Sequence, residues 1–189
     1  MKIALLFICL TCGAFAIAQP VHKNTTPFFT SINSIGVLTG SSSDNFTVQT
    51  INGVAYKNWN VGIGTGIDWY GVRTIPLVLD VRRYFTQHKS KPFVYANGGL
   101  SFPWAKDRPV EWNTTKTAYR KSPCAELGLG YTLATKNAFS MFISAGYSYK
   151  HVRYNQYYFL SDPVAEMFEL KNTYDFNYRR IALRLGISF

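Results

Sequence analysis

Ile181-Ala-Leu-Arg-Leu-Gly-Ile-Ser-Phe189 alternates without a break. A strand points successive side chains to opposite faces. This one therefore sets Ile181, Leu183, Leu185, Ile187 and Phe189 on one side, and Ala182, Arg184, Gly186 and Ser188 on the other. A soluble sheet buries its apolar side and wets its polar side. Here the apolar side is large while the opposite one holds an arginine among small residues, a division suited to a wall between lipid and a polar lumen. The stretch predicts a transmembrane strand.

Working outward from it, the same pattern recurs. Trp59, Val61, Ile63, Thr65, Ile67 and Trp69 oppose Asn60, Gly62, Gly64, Gly66, Asp68 and Tyr70. Ile75, Leu77, Leu79 and Val81 oppose Pro76, Val78, Asp80 and Arg82, and Ala125 to Leu133 sets its leucines against Glu126, Gly128, Gly130 and Thr132. Phe139 to Lys150 alternates too, with Phe142 the one large residue on the polar side. Further strands are expected at 28–39, 45–55 and 92–103, where Pro27, Pro92 and Pro103 lie near ends at which a missing ladder donor costs least. The sum is an even number of strands. The connections alternate between short (Tyr56-Lys57-Asn58, Thr86 to Lys91, Thr135-Lys136-Asn137) and longer, and the two longest, 104–123 and 154–173, fall on the same rim. The expected fold is all-β: an eight-stranded antiparallel up-and-down transmembrane β-barrel, preceded by a cleaved signal peptide.

That leader is legible at the other end of the chain. Lys2 precedes an apolar stretch from Ile3 to Ala18, interrupted at Thr11 and Gly13, and Ala16-Ile17-Ala18 fits a small-x-small cleavage site. The stretch is shorter than the roughly 20 residues a spanning helix needs. Residues 1–18 are therefore expected to be a signal peptide and 19–189 a barrel domain. A lipid anchor would require a small residue directly before a cysteine, whereas Cys9 follows Ile8 and Cys12 follows Thr11. Cleavage leaves Cys124 alone, without any disulfide framework. It also lowers the formal charge of +10 by one, since Lys2 is the only charge in the leader. A basic exported chain has anionic lipid head groups or surface polysaccharide, not nucleic acid, as its natural counter-charge.

The exported, cysteine-poor chain, the strand with Gly62, Gly64 and Gly66, and the ending Leu185-Gly-Ile-Ser-Phe189 together resemble the small eight-stranded outer-membrane barrels of Gram-negative bacteria. These are the OmpA-like transmembrane domain and its porin-family relatives, and the likeness covers about residues 25–189. It implies a place in the cell outer membrane, contact with its lipid and lipopolysaccharide, and recognition of Leu185, Ile187 and Phe189 by the barrel-assembly machinery. The common form of that signal has a glycine further upstream, where this chain has Arg184 and then Gly186.

Asp68, Asp80, Arg82, Glu126, Lys150, Arg180 and Arg184 all project to the same expected interior. Such a set can serve as an ion pathway or as catalytic carboxylates, but in an interior just wide enough for side chains it is foremost a structural network of paired charges. Arg184 is expected to pair with Asp80 or Glu126. Some barrels of this size modify lipid A, the deacylase type through a His-x-Ser pair; His151-Val152-Arg153 lacks the serine, and His22 and His88 have no nucleophile beside them. No enzyme, cofactor or metal site is expected. Binding would reside in the loops: in 104–123 through Lys106, Arg108, Trp112, Arg120 and Lys121, and in 154–173, where Asp162-Pro163 suggests the start of a short helix carrying Val164, Met167 and Phe168 on one face. The expected role is a structural or interaction protein with outward loops and an extracellular ligand; the alternatives are a small porin-like channel and a soluble lipocalin-like carrier.

Overall fold

The computed structural model describes residues 26–40, 44–70, 72–86, 90–104, 115–134, 139–160 and 168–189. Its strands are β1 (Phe28–Thr39), β2 (Asn45–Tyr56), β3 (Trp59–Asp68), β4 (Thr74–Tyr84), β5 (Lys91–Pro103), β6 (Thr115–Tyr119), β7 (Ser122–Ala134), β8 (Ser140–Leu160) and β9 (Phe168–Ser188). All pair antiparallel with sequence neighbours, except that β6 and β7 both pair with β8 and together make one stave. β1 closes the circle on β9 from Ile32↔Ser188 to Thr39↔Ile181. The result is a closed, eight-staved barrel.

Polarity decides which solvent this barrel suits. Asp80 is 0% exposed, whereas Leu127 and Leu129 are each 66% and Ile35 is 64% exposed. In water that arrangement would strand charges inside and leave a continuous apolar belt outside, far beyond the patches soluble monomers tolerate. In lipid the apolar side chains meet hydrocarbon and the closed wall leaves no open sheet edge to the bilayer, while the charges inside are left to satisfy one another. The inward-apolar arrangement of a lipocalin-like carrier is the reverse of this one.

β1 and β2 follow the alternation less cleanly because their outward side holds Ser31, Asn33, Thr50 and Asn52. Two of these satisfy one another, Thr50 Oγ1 donating to Asn33 Oδ1 at 2.8 Å. At the rim bearing the chain's C-terminus, β2 and β3 are joined by a two-residue turn closed by Tyr56↔Trp59, with Lys57 at φ 53°.

The expected loops need correction at the opposite rim. Tyr154–Leu160 and Phe168–Thr173 are not loop but ladder, paired from Tyr154↔Tyr174 to Leu160↔Phe168, so β8 and β9 run on past the barrel as a protruding hairpin. The sequence Tyr157-Tyr-Phe-Leu160 has the β-propensity for this, and Tyr154, Tyr174, Phe176 and Tyr178 stack along it at 5.1 to 6.4 Å. Phe168 lies in strand, not helix; Asp162, Pro163, Val164 and Met167 lie outside the described residues. Likewise Thr115–Tyr119, expected in loop 104–123, is strand β6, and Ser122 and Pro123 belong to β7. The leader lies outside the described residues.

Candidate functional site

The lumen is filled in three layers. Nearest the rim with the short turns, Ile32, Ile51, Phe93, Tyr95 and Phe142 form a buried apolar cluster, with Tyr84 against it. Phe93 stands 5.9 Å from Phe142, 6.2 Å from Tyr95 and 5.5 Å from Tyr84, centroid to centroid. The glycines on the polar sides of the strands make this packing feasible. A β-carbon at Gly130 would collide with the Phe93 ring, and one at Gly186 with the Phe142 ring. Arg82 lays its guanidinium 5.2 to 5.6 Å from the Phe93, Tyr95 and Phe142 rings and donates from Nε to Asp80 Oδ1 at 2.9 Å.

The middle layer is an ion pair. Arg184 Nη2 donates to Glu126 Oε2 at 2.6 Å, the Tyr95 hydroxyl donates to Glu126 Oε1 at 2.7 Å, and Arg184 Nη1 reaches Gln49 Oε1. Of the two partners expected for Arg184, the geometry selects Glu126, with Asp80 committed to Arg82. Nearest the hairpin rim, Lys150 Nζ donates to Asp68 Oδ1 at 2.7 Å, an oxygen that also accepts from Thr74 Oγ1 at 2.6 Å. Tyr70 donates its hydroxyl to the Ser148 carbonyl at 2.9 Å, and Arg180 lies 4.7 Å from the Tyr70 ring. All seven ionic residues singled out from the sequence are thus buried in one lumen, and each of the three carboxylates among them has a cation.

These three layers fill the lumen among the described residues. A cavity of about 40 Å³ lies between the middle and upper layers, bordered by Gln49, Asp68, Glu126, Lys150 and Arg184. That volume holds a few water molecules at about 10–15 Å³ each and no organic substrate. Among the described residues no group of three or more His, Cys, Asp or Glu side chains is arranged to hold a metal ion.

The outer face of the hairpin rim carries a second constellation. Tyr119 pairs with Tyr154 and Cys124 with Lys150, so the segment from Arg120 to Pro123 has one residue more than the β8 segment it faces. This β-bulge lets Arg120 and Lys121, adjacent in sequence, both point outward, where a regular strand would send one of them inside. Pro123 sits in the bulge, where its missing donor is tolerated. On β8, His151 and Arg153 lie beside them, and both hydrogen-bond Asp175 of β9, Arg153 Nη2 to Oδ2 at 2.6 Å. These contacts, His151 first, hold the Asp175 carboxyl below its ordinary range. Of the loop residues singled out for binding, the structure places Arg120 and Lys121 here, while Lys106, Arg108 and Trp112 lie outside the described residues. The bulge and the partners on β8 were missed; the adjacent cations Arg120 and Lys121 with Pro123 two residues further on, just before an alternating stretch, were the available signal.

A closed antiparallel barrel of eight staves, apolar without and ion-paired within, defines the transmembrane class of β-barrel. Two solved structures are similar to this chain: the outer membrane protein OprG from Pseudomonas aeruginosa, with 13% identity and a TM-score of 0.52 over 89% of this chain and 96% of that chain, and Neisserial surface protein A (NspA), with 12% identity and a TM-score of 0.49 over 86% of this chain and 97% of that chain. At such identities the likeness to OprG is one of fold, the small outer-membrane barrel. No family model and no curated protein matches the sequence.

Proposed function

We propose that the chain is an integral outer-membrane protein, a member of the OmpA-like and porin-family group of small barrels, whose barrel is a closed, non-catalytic anchor and whose β8–β9 hairpin and neighbouring loop face outward to meet an extracellular ligand. The observation that carries the closed-anchor reading is the aromatic layer of Phe93, Tyr95 and Phe142, wedged by Arg82 across the lumen. Leu185 and Phe189 are outward and apolar, with Ile187 half-buried on the same side, which supports their recognition, with the lipid-facing strand they belong to, by the barrel-assembly machinery. The charged lumen and its small cavity favour one other reading, a narrow ion channel. Conductance of the purified protein in a planar bilayer separates the two: the anchor gives a silent bilayer, and steady, reproducible openings of uniform size would replace it with the channel.

A further inference from the structure

Arg120, Lys121, His151 and Arg153, with Ser122 and Pro123, enclose a cleft of about 450 Å³ on the outside of the barrel. We propose that this cleft seats the phosphate of a membrane lipid head group, an inference that rests on the barrel spanning the membrane as described above.

Three observations converge on that ligand. The first is charge: counting His151 as neutral, Arg120, Lys121 and Arg153 face a single carboxylate, Asp175, leaving two positive charges in excess. A phosphate monoester carries about −1.5 to −2 at neutral pH, which matches that excess. Arg120 and Lys121 have no carboxylate partner among the described residues, so both charges are open to an incoming anion.

The second is construction. The cleft exists because of the bulge, held by Arg120 N donating to the Arg153 carbonyl at 3.0 Å and by Ser122 Oγ donating to the Arg120 carbonyl at 3.1 Å. Two consecutive residues thereby converge on one point of the surface, beside the Arg153 guanidinium that Asp175 orients from the next strand through Nε at 3.0 Å. A planar guanidinium fixed in this way matches the fork of a phosphate.

The third is height. On β8 the outward apolar run from Met141 to Tyr147 ends at Tyr149, and His151 and Arg153 follow two and four residues later, about 7 and 13 Å along the strand. Trp104, just after β5 on the neighbouring side of β7, lies three residues past the Ser101↔Ser122 pair and so beside the cleft, under the Arg73 guanidinium at 4.5 Å. Aromatic rings mark the edge of the hydrocarbon, so the cleft sits where lipid phosphates lie. At that depth its neighbours are lipid head groups, which an extracellular protein would first have to displace.

The test uses the mature protein folded in non-ionic detergent and titrated with lipid A, a phosphorylated glycolipid, its fully dephosphorylated form, and inorganic phosphate, with bound lipid counted by native mass spectrometry. We expect saturable binding of lipid A that falls about 25-fold in the double variant Arg120→Gln/Lys121→Gln, roughly fivefold for each cation removed near a charged surface. Arg153→Lys, which keeps the charge and loses the fork, is expected to show a smaller loss, and dephosphorylated lipid A to bind both proteins equally weakly. Equal affinity of the wild type and the double variant for lipid A would overturn the proposal, as would complete displacement of the lipid by millimolar inorganic phosphate, which would reassign the cleft to a free anion. Retention of a heat-modifiable gel shift by each variant certifies that its barrel has formed. A chain that fails to float with phospholipid vesicles would fail the membrane reading itself, whereas one that floats and binds lipid A indifferently to these substitutions would sink the cleft alone.

Discussion

Replacing Arg184 by Met probes the middle layer of the lumen. Arg184 and Glu126 are both buried, at 9% and 6% exposure, and the substitution leaves the Glu126 carboxylate with the Tyr95 hydroxyl as its remaining hydrogen-bond partner of those described above. Removing one member of a buried pair costs roughly 3–5 kcal/mol, mainly because the surviving charge stays desolvated. The adjoining cavity of about 40 Å³ admits water to Glu126 and moves the expectation toward the lower end, ~3 kcal/mol. The companion Glu126→Gln removes the orphaned charge, so Arg184→Met/Glu126→Gln should recover most of that loss, with a coupling energy of ~2 kcal/mol. Urea unfolding in phospholipid vesicles, followed through tryptophan fluorescence, measures all four corners of the cycle, with Trp59 and Trp69 reporting from the lipid face. If Arg184→Met lay within about 0.5 kcal/mol of wild type, the range of an inconsequential surface change, the ion-paired middle layer would be refuted. A double variant no more stable than Arg184→Met would equally refute the attribution to an unpaired Glu126.

Gly130→Ala places a methyl group into the Phe93 ring, which Arg82, Tyr95 and Phe142 hold from the other sides, so it should destabilise the barrel by about 1–3 kcal/mol in the same unfolding assay. Gly98→Ala, whose new β-carbon meets nothing nearer than a carbonyl at 3.9 Å, is the matched control and should cost far less. The protein should migrate differently on a gel with and without boiling, since a closed barrel resists detergent until heated. Asp175 has a folded pKa below its ordinary value of 3.8, so its contribution to the hairpin is complete above that value and is lost as pH falls through the lower, folded one. Following the Asp175 carboxyl carbon by NMR should therefore show titration more acid than an unpaired aspartate, and Arg153→Gln together with His151→Gln should return it to the ordinary range.

Sequence periodicity carried most of the fold because a barrel wall has two unlike sides, and in lipid that contrast falls on every second residue. Asp68, Asp80, Arg82, Glu126, Lys150, Arg180 and Arg184 could be assigned to one interior by parity alone. Which acid pairs with which base could not, since Asp80 and Glu126 are both inward and only the staggered register brings Arg184 to Glu126 and leaves Asp80 with Arg82 two residues on. Phe142 looked misplaced on a polar side because its space is supplied by other strands, by Gly186 of β9 above all. The protruding hairpin was hidden for a related reason. Beyond the lipid the outer face of a strand needs no apolar residues, so Lys150 to Tyr157 and Thr173 to Arg179 lose their alternation and look like loop. Phe168, expected on the face of a short helix, belongs instead to the ladder that cross-strand aromatic stacking supports from Tyr154↔Tyr174 outward. The bulge at Arg120–Pro123 breaks parity by one residue, which separates β6 from β7 in any periodic pattern.

The inverted polarity of the wall is open to one direct measurement. With Cys124 replaced by Ser, single cysteines at successive positions from Ile181 to Phe189, each carrying a small fluorophore, are reconstituted in vesicles containing lipids brominated in their acyl chains. Strong quenching at 181, 183, 185 and 187 with weak quenching at 182, 184 and 186 is the predicted result. Quenching that is uniform along the strand, or strongest at the even positions, would contradict a barrel that turns its leucines to lipid and Arg184 inward.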